Sequence, residues 1–295
     1  MAILALHHLS KTYKKQLVLN KISLTIDSPG IWALIGPNGV GKTTLLNVIT
    51  NILPESSGTV ELLGESNKGH KVFKKVSFLQ DNTVLFDYLT GYDHLNYVCK
   101  VHKLNKERVR EVAEQVGMES YLKKRVGNYS LGMKQHLLLA MSIVNEPELL
   151  LLDEPLNGLD PTSAILMRKI LLELGKKNTT IILSSHNLNE IDRLTKNVLF
   201  LKDGKLLEVD MSEHETVSYY FTLPNPSEAH AILREKGYIV EETANGIVTE
   251  IPSSKLDMLI DEIKDHSIEI KDIHKEVTGS EKLYEEVFGV RGQQR

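Results

Sequence analysis

Between residues 31 and 49 the chain passes from an apolar run, Ile31-Trp32-Ala33-Leu34-Ile35, through Gly36-Pro37-Asn38-Gly39-Val40-Gly41-Lys42-Thr43-Thr44, into a second apolar run, Leu45-Leu46-Asn47-Val48-Ile49. The middle segment fits the G-x-x-x-x-G-K-[ST] phosphate-loop pattern. No other stretch restricts the fold so strongly, because this pattern works only between a buried strand and the start of a helix. The two apolar flanks predict that strand and that helix. In such a unit successive backbone N–H groups and the helix N-terminus surround an anion. The glycines let the main chain approach phosphates with no Cβ in the way. Lys42 brings a positive charge to the outer phosphates, the Thr43 hydroxyl is a ligand for Mg2+, and the amides of residues 38–44 complete the cradle. The pattern predicts a bound nucleoside triphosphate.

Downstream comes Leu149-Leu150-Leu151-Leu152-Asp153-Glu154-Pro155. Four leucines ending in a carboxylate predict a buried central strand of a parallel sheet. Such strands present catalytic groups at their carboxyl ends, where phosphate loops also gather. Two adjacent acids at a strand end also suit ordinary helix capping. Beside a phosphate loop they suit catalysis better, with Asp153 holding the Mg2+ shell through water and Glu154 orienting or activating the attacking water.

The stretch Asn128-Tyr129-Ser130-Leu131-Gly132-Met133-Lys134-Gln135 narrows the class. It resembles the signature of ABC transporter ATP-binding subunits, which reads roughly Leu-Ser-Gly-Gly-Gln. Ser130 and Gly132 match it. Leu131 replaces the first signature glycine, Met133 replaces the glutamine, and His136 stands where an arginine is common. This version is similar to the branch that includes bacitracin-resistance, lantibiotic-immunity and related peptide-exporting ATPases. The resemblance implies an α/β P-loop ABC ATPase domain, with a β-rich subdomain, a parallel-sheet core and a helical subdomain, using ATP and Mg2+. It also implies that Ser130, Gly132 and the following helix N-terminus meet the γ-phosphate held by a second copy, which suits a serine cap and free helix N–H groups.

Further family positions follow in order. Tyr13 stands where the family has an aromatic ring stacked on adenine. Gln80, after Val76-Ser77-Phe78-Leu79, corresponds to a glutamine that senses Mg2+ and the partner. Asp160, in Asn157-Gly158-Leu159-Asp160, belongs to the loop that crosses the nucleotide dimer. His186, after Ile181-Ile182-Leu183-Ser184-Ser185, corresponds to a histidine that contacts the γ-phosphate. The resemblance covers roughly the first 210 residues.

Charge supports a division of the chain. Residues 1–210 carry 26 Lys and Arg against 22 Asp and Glu, whereas residues 211–295 carry 9 against 17. A shift of that size predicts an ATP-binding domain over 1–210 and a small acidic domain over 211–295. Acidity there argues against a nucleic-acid partner, since phosphate contacts need Lys and Arg. No uninterrupted apolar run approaches the ~20 residues that cross a bilayer. The first eight residues lack the basic region and cleavage site of a secretory signal. A single cysteine, Cys99, leaves no internal disulfide framework and fits a reducing compartment.

Patterning places the elements. Leu17–Ile26 alternates as a half-buried strand and Gly58–Leu62 reads as another. Asp93–His102 and Asn105–Val116 read as helices, matching the family's helical subdomain and its membrane-partner surface. Thr162–Gly175 reads as a helix entered at Pro161. Asn197–Lys202 and Leu206–Val209 flank an Asp203-Gly204 turn. In the acidic part, Val217–Leu223, Tyr238–Glu242, Ile247–Ile251 and Ser267–Ile273 read as strands. Ser227–Lys236 and a segment capped by Ser253 or Ser254 read as helices, the latter with Leu256, Leu259, Ile260 and Ile263 on one face. That order is βαββαβ, a ferredoxin-like α+β arrangement. Gly279–Phe288 reads as a last helix with Leu283, Val287 and Phe288 on one face.

Together these expectations describe an ATPase subunit at the cytoplasmic face of a membrane. It would dimerise, with an identical or different ATPase subunit, around two Mg-ATP and drive a separate membrane permease. Family resemblance points to export of peptides or amphipathic compounds that this subunit does not itself bind. The other class is an ABC ATPase acting on ribosomes or DNA. Those usually fuse two ATPase units or insert long coiled coils before the signature, and this chain has neither.

Overall fold

The computed structural model describes residues 1–213, 216–252, 255–278 and 280–289, and divides into two compact units, Met1–Val209 and Asp210–Arg295. Along the first, the elements run β1 (Leu4–Tyr13), β2 (Gln16–Ile26), β3 (Ile31–Ile35), α1 (Lys42–Ile49), β4 (Ser57–Leu62), β5 (Glu65–Ser66) and β6 (Val76–Leu79). Three helices follow: α2 (Gly91–Val101), α3 (Glu107–Gln115) and α4 (Leu131–Ile143). The unit ends with β7 (Leu149–Leu152), α5 (Pro161–Lys176), β8 (Thr180–Ser185), α6 (Leu188–Asp192), β9 (Asn197–Lys202) and β10 (Lys205–Asp210).

The central sheet has the order β10-β9-β3-β8-β7-β6. β3 pairs in parallel with β8 and β9, and β7 pairs in parallel with β6 and β8. A parallel sheet needs cover on both faces, which is why β7 is four buried leucines rather than an alternating strand. Register matters most at the carboxyl ends. Ile35 lies opposite Ser185, Leu152 opposite Leu183, and Leu79 opposite Leu152. The residues that follow, Gly36, Gln80, Asp153 and His186, therefore emerge along one rim.

A second, antiparallel sheet has the order β2-β1-β4-β5. One apolar core joins Leu4, Leu6, Leu19 and Ile26 of this sheet to Leu46 and Ile49 of α1 and to Leu34 and Leu151 of the parallel sheet. Each such fully buried leucine or isoleucine contributes about 1.5–3 kcal/mol. This core fixes α1 behind the loop that precedes it. β1 has no counterpart among the sequence-based expectations. Its alternation breaks at His7-His8, where His8 takes φ 49° and the register with β2 shifts between Leu6 and Leu9. A bulge of this kind hides the period of two.

The helices obey their caps. Thr90 and Asp93 form a reciprocal capping box that starts α2. Ser130 accepts from the Met133 N–H and starts α4. Asp160 accepts from the Thr162 and Ser163 N–H groups and starts α5, with Pro161 at its first position.

The second unit runs β11 (Thr216–Thr222), α7 (Pro226–Glu235), β12 (Val240–Thr243), β13 (Gly246–Glu250), α8 (Leu256–Asp265), β14 (Asp272–Thr278) and α9 (Ser280–Phe288). Its sheet has the order β12-β13-β11-β14, with β13 antiparallel to both β11 and β12, and β14 antiparallel to β11. It has its own core, with Tyr219, Phe221, Leu233, Ile247, Leu259 and Ile263 all buried. Ser253, Ser254 and Gly279, named above for helix starts, lie outside the described residues.

Two strand starts lie more than one residue from the sequence-based expectation, for one reason. The strand expected from Ser267 begins at Asp272, and the one expected from Tyr238 begins at Val240. In both places the chain is still closing the preceding helix. Ser267 at φ 62° donates to Lys264 O, and Ile268 donates back to Ile263 O. Gly237 at φ 86° donates to Arg234 O, and Tyr238 to Leu233 O. This paired bond pattern is the Schellman closure, and the apolar residue after it packs back on the helix instead of starting a strand.

Candidate functional site

The rim begins with the loop between β3 and α1. Gly36 and Gly41 are fixed there by space: a Cβ at Gly36 would lie 2.8 Å from Leu201 O, and one at Gly41 2.8 Å from Val18 Cγ1. Gly41, at φ 115°, is also the N-cap of α1, and no side chain caps that helix. The first N–H groups of α1 thus have no side-chain acceptor, the condition for an anion site.

Lys42 is buried, with only 6% of its surface exposed. Its Nζ donates to Gly36 O at 2.7 Å and lies 3.3 Å from Glu154 Oε1. The other Glu154 oxygen, Oε2, is 2.8 Å from His186 Nδ1. One carboxylate therefore sits between the loop lysine and the histidine beyond β8. Glu154 itself takes φ 48°, a left-handed conformation that costs a non-glycine residue about 1–2 kcal/mol. This turn, directly after β7, swings the Glu154 side chain back over the rim.

Asp153 is held on both sides. Thr43 Oγ1 donates to its Oδ2 at 2.7 Å, and Ser184 Oγ donates to its Oδ1 at 2.6 Å. Thr43 and Asp153 thus present two hard oxygen donors side by side at a helix N-terminus, a donor set that fits Mg2+. Gln80 follows β6 on the neighbouring strand, and the Asp153 N–H donates to Leu79 O at 3.1 Å. Its side chain is half-buried and lines a groove of about 290 Å³ with Phe78, Val84, Val98 and Met141.

A second group forms at the start of α4. Ser130 Oγ faces the Met133 N–H at 3.3 Å. Gly132 is buried, and a Cβ there would lie 2.8 Å from Ser163 Oγ and 3.4 Å from Asp160 Oδ2. The Leu131 side chain covers Gly158 closely enough that a Cβ there would lie 2.8 Å from Leu131 Cδ2. Hydrogen bonds from Ser163 and Thr162 hold the Asp160 carboxyl below the ordinary carboxylate range. His136, also buried, meets the Tyr121 hydroxyl at 3.0 Å, while burial pushes its pKa down against the opposing pull of Asp160.

Through Ser184, whose hydroxyl also accepts from the Glu154 N–H, the structure joins Lys42, Thr43, Asp153, Glu154 and His186 in one network. Among the described residues, the hydrogen bonds and ion pairs of that network do not extend to Tyr13, Gln80, Ser130, Gly132 or Asp160. Tyr13 sits at the β1–β2 turn, 41% exposed, with Lys11 Nζ 5.2 Å from its ring centroid. Pro37, Asn38, Val40 and Thr44 belong to the loop and to the first turn of α1. Sequence reasoning missed Ser184. Its signal was a serine pair, Ser184-Ser185, ending a strand that is otherwise apolar after Thr180.

Comparison with known proteins supplies the context. The family model described as ABC transporter matches residues 19–157. The uncharacterized ABC transporter ATP-binding protein YhcH of Bacillus subtilis (strain 168) is 30% identical over 279 residues, spanning 92% of this chain and 91% of that protein. The bacitracin transport ATP-binding protein BcrA of Enterococcus faecalis is 38% identical over 216 residues, spanning 72% of this chain and 70% of that protein. Among solved structures, cbiO1 from Clostridium perfringens, part of the ABC transporter complex cbiONQ, superposes with a TM-score of 0.63 at 28% identity, over 72% of this chain and 90% of that one.

Proposed function

The chain belongs to the ABC transporter family as an ATP-binding subunit that hydrolyses Mg-ATP, and from that premise we propose that two copies, or this subunit and a related one, close around two nucleotides to power a separate membrane permease. The observation that carries this reading is the Lys42–Glu154–His186 chain of contacts beside the Thr43–Asp153 pair. Lys42 and the amides of residues 38–44 bind phosphate. Glu154 takes or orients the proton of the attacking water, and His186 holds the Glu154 carboxylate while reaching the γ-phosphate. Thr43, Asp153 and Gln80 would hold Mg2+, which would supply positive charge against the phosphates. Tyr13 stacks on adenine. Ser130, Gly132 and Asp160 serve the nucleotide of the opposite subunit.

The cargo class we propose is peptides or other amphipathic compounds moved outward, supported by the bacitracin transport named for BcrA. The groove beside Gln80, with exposed Val84, Phe86, Tyr97 and Val101 around α2, is an apolar surface suited to the permease. Among the described residues no helix is long and apolar enough to cross a membrane. A peripheral position on the cytoplasmic side follows from this reading. The acidic second unit, whose β–α–β–β–α–β order we read as ferredoxin-like, tunes dimerisation or docking.

Pull-down of tagged protein from detergent-solubilised membranes tests the proposal. Co-purification of a polytopic membrane protein that raises ATPase turnover is the expected result. Recovery of ribosomes or nucleic acid in its place would overturn it.

A further inference from the structure

Strand β8 carries two fully buried hydroxyls four residues apart, on the same face. Among the described residues, Thr180 Oγ1 has no hydrogen-bond partner. Ser184 is equally buried, at 0% exposure, yet its hydroxyl is used twice. It donates to Asp153 Oδ1 at 2.6 Å and accepts from the Glu154 N–H at 2.9 Å. A buried hydroxyl on an apolar strand is therefore not paired by default in this sheet. The pairing at Ser184 reflects where it stands.

We infer that Ser184 is a positioning residue for ATP hydrolysis, setting the side chain of Asp153 and the main chain of Glu154 at once. The inference rests on the roles proposed above for those two acids. Three observations carry it. The β7–β8 pairing ends at Leu152 opposite Leu183; beyond it the Asp153 N–H donates to Leu79 O of β6, and the Glu154 N–H turns to Ser184. The Ser184 hydroxyl takes over at that point and accepts the N–H that the strand no longer uses. Glu154 then leaves the sheet at φ 48°, and the same N–H bond anchors the strained residue at its start. Such conformations persist where the surroundings over-determine them.

The second observation concerns Asp153. Its Oδ1 is occupied by Ser184, which leaves Oδ2 facing Thr43 Oγ1 at 2.7 Å. Rotation of the carboxylate would break one bond or the other, so the oxygen beside Thr43 is fixed as the one that would serve Mg2+. The third is that Ser184 and His186 leave the same strand end. One holds Glu154 by its main chain at 2.9 Å, and the other holds its Oε2 at 2.8 Å. Ser185, between them, accepts from the Asn187 N–H at 3.0 Å and shapes the turn that brings His186 round. The hydroxyl of Ser184 is fully buried and spent on these two bonds, so it acts through its two neighbours.

Ser184→Ala and Ser184→Thr in the full chain test this, alongside wild type. Three quantities are measured: steady-state turnover against Mg2+ concentration, affinity for a fluorescent ATP analogue without Mg2+, and the melting temperature. For Ser184→Ala, kcat falls about tenfold or more, the scale of a lost hydrogen bond to a charged group. Half-maximal Mg2+ rises several-fold, while Mg2+-free nucleotide affinity stays within about twofold, because the phosphate loop is untouched. Ser184→Thr keeps the hydroxyl and recovers most of the turnover. Turnover of Ser184→Ala within about twofold of wild type would overturn the inference. So would loss of Mg2+-free binding together with turnover, or failure of threonine to recover activity. A wild-type protein without ATPase activity would instead remove the functional reading on which it stands.

Discussion

The rim of the parallel sheet and the start of α4 hold similar residue types, but they are organised in opposite ways. At the rim, each charged group is paired within the chain: Lys42 with Glu154, Glu154 with His186, Asp153 with Thr43 and Ser184. At the start of α4, Ser130 faces only its own helix, Asp160 caps α5, and Leu131 is 42% exposed. On the function proposed above, the rim is preorganised for charge that develops during reaction, which is where electrostatic catalysis gains most. The α4 group is internally satisfied and presents a surface. That difference fits a site whose chemistry is assembled in one subunit and completed by another.

The strongest test of the contrast is Glu154→Gln. If the rim does the chemistry, turnover falls by roughly a hundredfold or more, the usual contribution of a general base, while ATP binding survives. An ATP-held dimer then accumulates and is seen by sizing chromatography. Retained turnover would break the comparison at its root. Lys42→Ala comes next. It removes the side chain that donates to Gly36 O and lies 3.3 Å from Glu154 Oε1. Nucleotide affinity and turnover should both drop, each by about tenfold, as expected for a lost charge-assisted contact. Nucleotide titration and a phosphate-release assay measure the two.

Gly132→Ala probes the other region. The added methyl would meet Ser163 Oγ at 2.8 Å, so the α4–α5 contact must shift. A cost of about 1–3 kcal/mol in stability is expected for such overpacking, with single-subunit nucleotide affinity unchanged. Urea unfolding and nucleotide titration separate the two effects. Equal loss of affinity would mean that the regions are not independent.

The smallest effect is a pH dependence. Burial holds the His136 imidazole below its ordinary value of 6.5, so the unfolded chain binds the proton first. Stability is therefore complete above that ordinary value and declines as pH falls toward the folded one. His102 is lowered by burial as well and adds the same sign. The melting temperature should drop between about pH 8 and pH 5.5, and His136→Gln should flatten part of the drop. A variant with the wild-type slope would show that His136 is not the group responsible.

Much of the rim was legible because its parts are local. Gly36 to Thr44 carry a spacing that only a strand–loop–helix unit satisfies, and Leu149–Leu152 can be buried only in the middle of a sheet. Asp153 and Glu154 could be read from their place at that strand's end. β1 was not legible, because the bulge at His8 interrupts its alternation. The strand beginning at Asp272 was placed too early, because Ser267 adopts a left-handed helix closure that usually announces itself as glycine. Gly237 did give that signal, at the other displaced strand start.

By itself the sequence determined the phosphate loop, the buried central strands and the acids at their ends, because each is set by chemistry within a few consecutive residues. Only the tertiary structure decided that Ser184, on β8, would reach across to Asp153 and Glu154, that Lys42 would share Glu154 with His186, and that Gly132 would lie against Ser163. Those contacts join residues 30 or more positions apart. They depend on which strands are neighbours and in what register, and that is settled by packing the whole core at once rather than by any one segment's pattern.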